Sequence, residues 1–250
     1  MKSQMIDIQM QDGVCDAYIS CPENTTNLPI VLLYMDAVGL RPRIQEMADK
    51  IAVQGYYVLA PNLFYRTRRA PVFDYSLLKK PDGVAVIWND IRAAASQVNP
   101  VLTKKDTADF LQFAKSQPNV NPNKIGSTGY CMGGGQALRT AGDFPDDFKA
   151  TASFHAGGLA TDLETSPHRW FKKIKAEVYV GHADHDQHMP LEQMERVAAE
   201  LKAANVKFNA ELFKDCPHGW TMSDLPAYNK AGEEKHWEKL FDLFQRTLKK

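Results

Sequence analysis

Cys131 stands in a frame of glycines, Gly129-Tyr130-Cys131-Met132-Gly133-Gly134, at the end of a short strand-like run that begins at Ile125. The G-x-C-x-G-G spacing is that of a nucleophile elbow, G-x-S-x-G, with sulfur in place of oxygen. The chemistry such a turn serves is attack of a thiolate on an acyl carbon. A nucleophile on a sharp strand-to-helix turn sits in a strained backbone, and side chains two residues before or after it would collide with the neighbouring strand or helix. Gly129 and Gly133 occupy those two positions. The turn would expose the sulfur above a sheet, the N–H of Met132 at the start of the next helix could face a developing oxyanion, and the helix dipole would favour thiolate. The same glycines could equally cradle a phosphate or permit close packing, and free cysteine is among the most buried residue types. The partners decide.

An elbow nucleophile on this kind of chain needs an acid and then a histidine, each on a loop after a later strand. After the strand expected at Ala176–Val180 comes Gly181-His182-Ala183-Asp184-His185-Asp186-Gln187-His188, and after that expected at Val206–Phe213 comes Asp215-Cys216-Pro217-His218-Gly219-Trp220. His218 has a side chain whose pKa lies near working pH and can move the proton, while an aspartate of the earlier loop would fix its tautomer. The earlier loop also supports a rival chemistry, because His182, Asp184, His185, Asp186 and His188 are all metal-ligand types. The helical spacing of a known metal motif is absent from it. Cys216 could be a ligand, a redox partner of Cys131, or a small buried filler.

The elements that must position these groups follow from periodicity. Met5–Met10 alternates apolar and polar, 11–13 is a turn and Val14–Ser20 resumes strand character, giving an antiparallel hairpin at a sheet edge. Pro29–Met35 is a continuous apolar run, as in a strand covered on both faces, and ends in the loop Asp36-Ala37-Val38-Gly39. Ile44, Met47, Ala48, Ile51 and Ala52 recur at helical spacing before Gly55, with a strand at Tyr56–Ala60 beyond. Residues 82–95 and 106–116 are helix formers, and residues 62–81, containing Arg66, Arg68 and Arg69, read as a loop over the active site. A strand at Ala150–His155, an amphipathic helix through Leu191, Met194, Val197 and Leu201, and a last helix with Trp237, Leu240, Phe241, Phe244 and Leu248 on one face complete the chain. The expectation is one α/β domain over residues 1–250: a mostly parallel sheet with an N-terminal antiparallel hairpin and helices on both faces.

Thirty basic and thirty acidic residues balance to a net charge of zero, which argues against nucleic acid or an anionic membrane as partner and for a small molecule. The first residues lack the apolar core of a signal peptide and no apolar run reaches the length of a membrane span, so the expected location is cytoplasmic. Four cysteines, irregularly spaced in 250 residues, read as reduced thiols rather than a disulfide scaffold.

With these residues in place the chain resembles the dienelactone hydrolase family of the α/β-hydrolase fold over most of its length. Residues Asp36-Ala37-Val38-Gly39-Leu40 resemble its loop after the third strand, 129–134 its nucleophile motif and His218-Gly219-Trp220 its histidine motif. The resemblance implies Cys131 as nucleophile, His218 as base and the backbone amides of Ala37 and Met132 as oxyanion hole. It places Asp36 where the family has a glutamate that interacts with the resting cysteine, one methylene shorter here. Family members set the triad acid four residues before a proline, which selects Asp186 relative to Pro190 as the triad acid, although the spacing after Gly181 would select Asp184. The arginine that holds a substrate carboxylate in dienelactone hydrolases proper has no counterpart in Trp220-Thr221-Met222-Ser223. Trp220, Phe64 and Tyr65 could line an apolar pocket or pack under the loops.

The reading is a hydrolase of small carboxylic esters or lactones working through an acyl-cysteine, without cofactor or metal, as a monomer or small homo-oligomer. A thioesterase with the same triad, a thiol sensor pairing Cys131 with Cys216, and a metal-dependent hydrolase on the 182–188 loop are its rivals.

Overall fold

A computed structural model describes residues 1–80 and 82–250. The chain divides into two compact units, 1–125 and 126–250. In the first, β1 (Lys2–Met10) and β2 (Gly13–Cys21) form the expected antiparallel hairpin, in register from Lys2 opposite Cys21 to Met10 opposite Gly13. β3 (Leu28–Tyr34) is buried along its whole length, as its unbroken apolar run requires, and pairs parallel with β4 (Tyr57–Pro61). β4 pairs antiparallel with β2, so the order in this unit is β1-β2-β4-β3 with the hairpin at the edge. The connecting helix α1 (Pro42–Val53) starts on a proline, buries Ile44, Met47, Ala48, Ile51 and Ala52, and lies against β2 and β4.

Residues 62–80 are irregular apart from a 3-10 turn at Tyr75–Lys79, and Pro81 of the expected loop lies outside the described residues. This segment is held within its own unit. Asn62 donates to Asp16 Oδ1 (3.0 Å) and to the carbonyl of Arg68 (2.8 Å), Ala70 N–H donates to Asp16 Oδ2 (2.7 Å), and Tyr75 Oη donates to the carbonyl of Leu40 (2.9 Å). Helix α2 (Gly83–Ser96) matches expectation. Helix α3 (Pro100–Lys115) begins six residues earlier than its apolar spacing suggests, because Asn99 accepts from the N–H groups of Val101 and Leu102 and Pro100 opens the first turn.

β5 (Val120–Tyr130) runs from the first unit into the second and starts before Ile125. In the second unit the strand order continues β5, β6 (Phe148–Phe154), β7 (Glu177–Ala183), β8 (Phe208–Phe213), with β6–β7 and β7–β8 parallel. Helices α4 (Met132–Asp143), α5 (Leu191–Ala203) and α6 (Lys230–Leu248) connect or close these strands. α4 packs on β6, and α6 packs on β6 and β7. Of the stripe expected on α6, Phe241 is only half-buried, stacked on Trp237 at 5.3 Å, and Leu243 takes the buried position. A 3-10 turn at Pro167–Lys173, which nothing in the sequence announces, packs against α4. The α/β class, the edge hairpin and the mostly parallel sheet are as expected. No helix among the described residues is long and apolar enough to cross a membrane.

Candidate active site

β5 ends at Tyr130 and α4 begins at Met132, leaving Cys131 alone at the corner with φ 53° and ψ −119°. A non-glycine residue in that region is strained, and surrounding contacts must hold it there. They are present: Cys131 N–H donates to the carbonyl of Phe154 on β6 (3.0 Å), and the Cys131 carbonyl accepts from Gly134 N–H (3.0 Å). The glycines explain the corner's tightness. A Cβ on Gly129 would lie 1.9 Å from the carbonyl oxygen of Gly133, and one on Gly134 would lie 2.6 Å from Ser153 Oγ. Cys131 is half-buried, and the amide of Met132, in the first turn of α4, has no acceptor within its helix.

The loops after β7 and β8 bring an acid and a base together. His218 Nδ1 and Asp186 Oδ2 are 2.6 Å apart, with the aspartate side chain 1% exposed and the histidine 28%. Asp186 Oδ1 accepts from the backbone N–H of His188 (2.8 Å), which fixes the carboxylate's rotation. On its other side, His218 hydrogen-bonds Cys131. Burial works against a charged imidazole here, but the hydrogen bonds to Asp186 and to Cys131, with the charges of both, outweigh it and raise the His218 pKa to about 10. Asp186 is subject to burial, which would raise its pKa, and is nevertheless held below the ordinary carboxylate value by His218 and the His188 amide.

The other aspartate does different work. Asp184 Oδ2 accepts from the backbone N–H of Asp215 (2.9 Å), and Asp184 N–H donates to the carbonyl of Cys216 (2.8 Å). It ties the loop that carries His218 to the loop that carries Asp186. The remaining metal-ligand types of that loop point apart in role: the His185 side chain is 91% exposed, His188 is exposed, and His182 is buried in β7. No group of three or more ligand side chains among the described residues is arranged to hold a metal ion.

Sequence reasoning missed His155. It was expected to end a strand, but β6 stops at Phe154 and His155 turns with φ 40°. Its fully buried ring lies 5.4 Å from that of His218 and 4.9 Å from Trp220, and its Nε2 is 2.8 Å from Thr221 Oγ1. Burial first, then the charges of His218 and His236, push its pKa well down, so a neutral ring backs the histidine loop. No sequence signal singles it out, since a lone histidine after a strand is an ordinary core residue. Trp220 is fully buried and stacks on Phe213 at 4.7 Å, so it packs under the loop rather than opening to solvent.

Cys216 is buried, and a Cβ on Gly232 of α6 would come 2.4 Å from its sulfur. Burial raises its thiol pKa. A resolving thiol needs the opposite, access and thiolate character.

In the first unit, Asp36 is buried in a bidentate ion pair with Arg41 (2.6 and 2.9 Å) and accepts from Val38 N–H (3.0 Å). Both of its oxygens are engaged within their own loop, with Ala37 half-buried at the turn. Arg66 pairs with Asp106 and Asp12, Arg69 with Asp7, and Arg68 donates to the carbonyl of Val72. Tyr65 Oη donates to Asp106, and Phe64 meets Phe73 edge-on at 6.3 Å. The arginine cluster and its aromatic neighbours are thus engaged in the packing of their own unit.

Residues 15–248 match the model of the dienelactone hydrolase family. A protein of Synechocystis sp. named "Putative carboxymethylenebutenolidase" is 25% identical, covering 100% of this chain and 98% of its own length. One of the same name from Methylorubrum extorquens is 24% identical over 96% of this chain and 80% of its own. Among solved structures, that named "Putative Dienelactone Hydrolase" from Klebsiella pneumoniae subsp. pneumoniae superposes with a TM-score of 0.84, at 19% identity over 97% of this chain and 98% of that one. That likeness gives the α/β-hydrolase fold.

Proposed function

The chain belongs to the dienelactone hydrolase family, and from that premise we propose that it hydrolyses small carboxylic esters or lactones through an acyl-Cys131 intermediate, with His218 and Asp186 completing the triad. The observation that carries this reading is a single imidazole, His218, bonded to Asp186 at 2.6 Å on one side and to Cys131 on the other.

The raised pKa of His218 favours an imidazolium beside the sulfur. The Cys131 thiolate attacks the acyl carbon, and the carbonyl oxygen takes up the negative charge facing the amide of Met132 in the first turn of α4. As the tetrahedral species collapses, the carbon–oxygen bond to the leaving alkoxide breaks and His218 gives up its proton to that oxygen. The sulfur is now neutral in a thioester. The hydrogen bond and charge that Cys131 contributed to the imidazolium are gone, so His218 becomes a weaker acid-holder and, unprotonated, takes a proton from water. The hydroxide oxygen bonds to the acyl carbon and the carbon–sulfur bond breaks, returning the thiolate–imidazolium pair. Asp186 keeps the tautomer through both steps. Asp36 orders the Ala37 turn through Arg41 and Val38.

Buried Met222 offers no cation after the histidine, and Arg66 and Arg69 are taken up in ion pairs. Neutral acyl groups are therefore favoured over substrates that carry a carboxylate. The test is a panel of small aryl esters, lactones and thioesters, each with and without a carboxylate, given to the native chain and to Cys131→Ala, with mass spectrometry of the quenched native reaction. An acyl adduct on Cys131 and an inactive variant are expected. Equal turnover by both proteins would refute the acyl-cysteine.

A further inference from the structure

Away from the Cys131–His218 pair, the second unit holds a cleft of about 310 Å³ between the 3-10 turn Pro167–Lys173 and helix α5. Three permanent cations line it, Arg169 and Lys172 from the turn and Arg196 from α5, against one carboxylate, Glu200. Apolar surface comes from Phe171 and from the last turn of α5.

The cleft also contains a fixed histidine. His168 is 6% exposed, its backbone N–H donates to the carbonyl of Leu159, and its Nδ1 is 2.9 Å from Ser166 Oγ. Ser166 is itself held, donating to the Leu159 carbonyl (3.2 Å) and accepting from Thr161 N–H (2.9 Å). That chain orients the ring, and Nε2 finds no protein partner among the described residues. Set beside arginines, the ring resists protonation unless an anion joins the group. Its pKa is pushed down by burial and then by the charges of Arg196 and Arg169.

The cations retain capacity. Lys172 has no carboxylate partner among the described residues. Arg196 meets Asp162, whose side chain is 96% exposed, and Arg169 lies 3.7 Å from Glu164, which is 92% exposed. Such solvated pairs exchange readily for a better anion. Guanidinium forks suit oxyanions with two or three oxygens, the His168 ring gains an Nε2–H donor when it takes up a proton beside a bound anion, since Ser166, donating to Leu159, leaves the neutral ring's proton on Nδ1, and the apolar lining suits a hydrocarbon or aromatic body.

We propose that this cleft binds a small dianion with an apolar body, a phosphomonoester or a dicarboxylate, held by Arg169, Lys172, Arg196 and His168. The site is independent of the acyl chemistry. Both walls nevertheless lead toward it: the 3-10 turn packs on α4, which begins at Met132, and α5 begins just after the loop of Asp186.

The test is NMR titration of the histidine imidazole signals of the full chain with phenyl phosphate and, separately, phthalate, repeated on Lys172→Glu, Arg196→Ala and, as a charge-matched control within the second unit, the exposed Lys149→Glu. Saturable displacement of the His168 signal, with an upward move of its titration midpoint, is expected with one probe or both, and the stronger names the ligand class. Lys172→Glu should weaken binding about tenfold or more with aryl-ester turnover unchanged, and Lys149→Glu should leave binding as in the native chain. Lys172 is exposed and unpaired, so its variant keeps the fold. The proposal is overturned if neither probe saturates His168 by about 10 mM, or if Lys149→Glu weakens binding as much as Lys172→Glu does.

Discussion

Two aspartates stand two residues apart after β7, and only one of them touches an imidazole. Asp186 meets His218 Nδ1, whereas Asp184 accepts from the Asp215 amide. Asp186→Asn preserves size but removes the negative charge that sustains the imidazolium, so kcat/KM of the proposed ester hydrolysis should fall by about 10²–10⁴-fold. The His218 titration midpoint should move down from about 10. Asp184→Ala removes a backbone acceptor at the loop's edge. It should lower the urea midpoint slightly and leave kcat within a few-fold, read by urea denaturation alongside turnover. Full activity in Asp186→Asn with loss in Asp184→Ala would transfer the acid's role. Sequence favoured Asp186 only through the family's spacing to Pro190, for a physical reason: what separates the two aspartates is the left-handed turn at His185, φ 52°, a backbone choice that no residue type around it dictates.

At the scale of elements, the elbow depends on how closely β5 approaches the first turn of α4. A Cβ on Gly129 would meet the Gly133 carbonyl oxygen at 1.9 Å and its carbon at 2.3 Å, and these are backbone atoms that move only with the start of the helix. Gly129→Ala should therefore cost about 3 kcal/mol or more and displace Cys131. At Gly135, one turn on, the nearest atom to a Cβ is Pro167 Cγ at 3.3 Å, and alanine gains about 1 kcal/mol of helix propensity over glycine. Gly135→Ala should stay within about 1 kcal/mol of the native chain; equal losses for the two variants in urea denaturation would contradict the steric account. Of the two glycines that the spacing singles out, Gly129 makes a tight contact, with the Gly133 carbonyl, and Gly134 adds another, against Ser153. Elements with strong periodicity, such as the β1–β2 hairpin, β3 and α1, were legible because burial on one face or two leaves a mark at fixed spacing. The start of α3 was not, since Val101 is 79% exposed and the first turn there is specified by the Asn99 cap rather than by an apolar stripe. The 3-10 turn at 167–173 and the corner at His155 left no periodic mark at all.

For the whole molecule, a net charge of zero removes global self-repulsion near neutrality, so the pH dependence of stability there rests on individual shifted groups. Three histidines are held neutral by the fold: His155, His168 and His182, the last lowered by burial to about 4. Below the unfolded value of 6.5 the unfolded chain binds protons that these sites refuse, and stability falls as pH drops; for His182 alone the loss reaches roughly 3 kcal/mol near pH 4. His218 has the opposite sign. Raised to about 10, it contributes stability that is complete below 6.5 and is lost as pH rises from there through about 10. Above 9, buried Cys15 and Cys216, whose thiols burial pushes up, add to the alkaline loss. Asp186, Glu177 and Glu211, held low by their partners, retain their contribution until the pH falls through their depressed values, so they steepen only the far acid limb. The melting temperature should accordingly peak at about pH 6.5 and fall on both sides. His182→Leu, an apolar side chain of similar bulk, should flatten the acid limb and leave the alkaline one unchanged. His218→Gln should do the reverse, because it removes the imidazolium and keeps a donor for Asp186. A peak shifted above about pH 8, or limbs that neither variant alters, would mean that the buried histidines do not govern the protein's pH response.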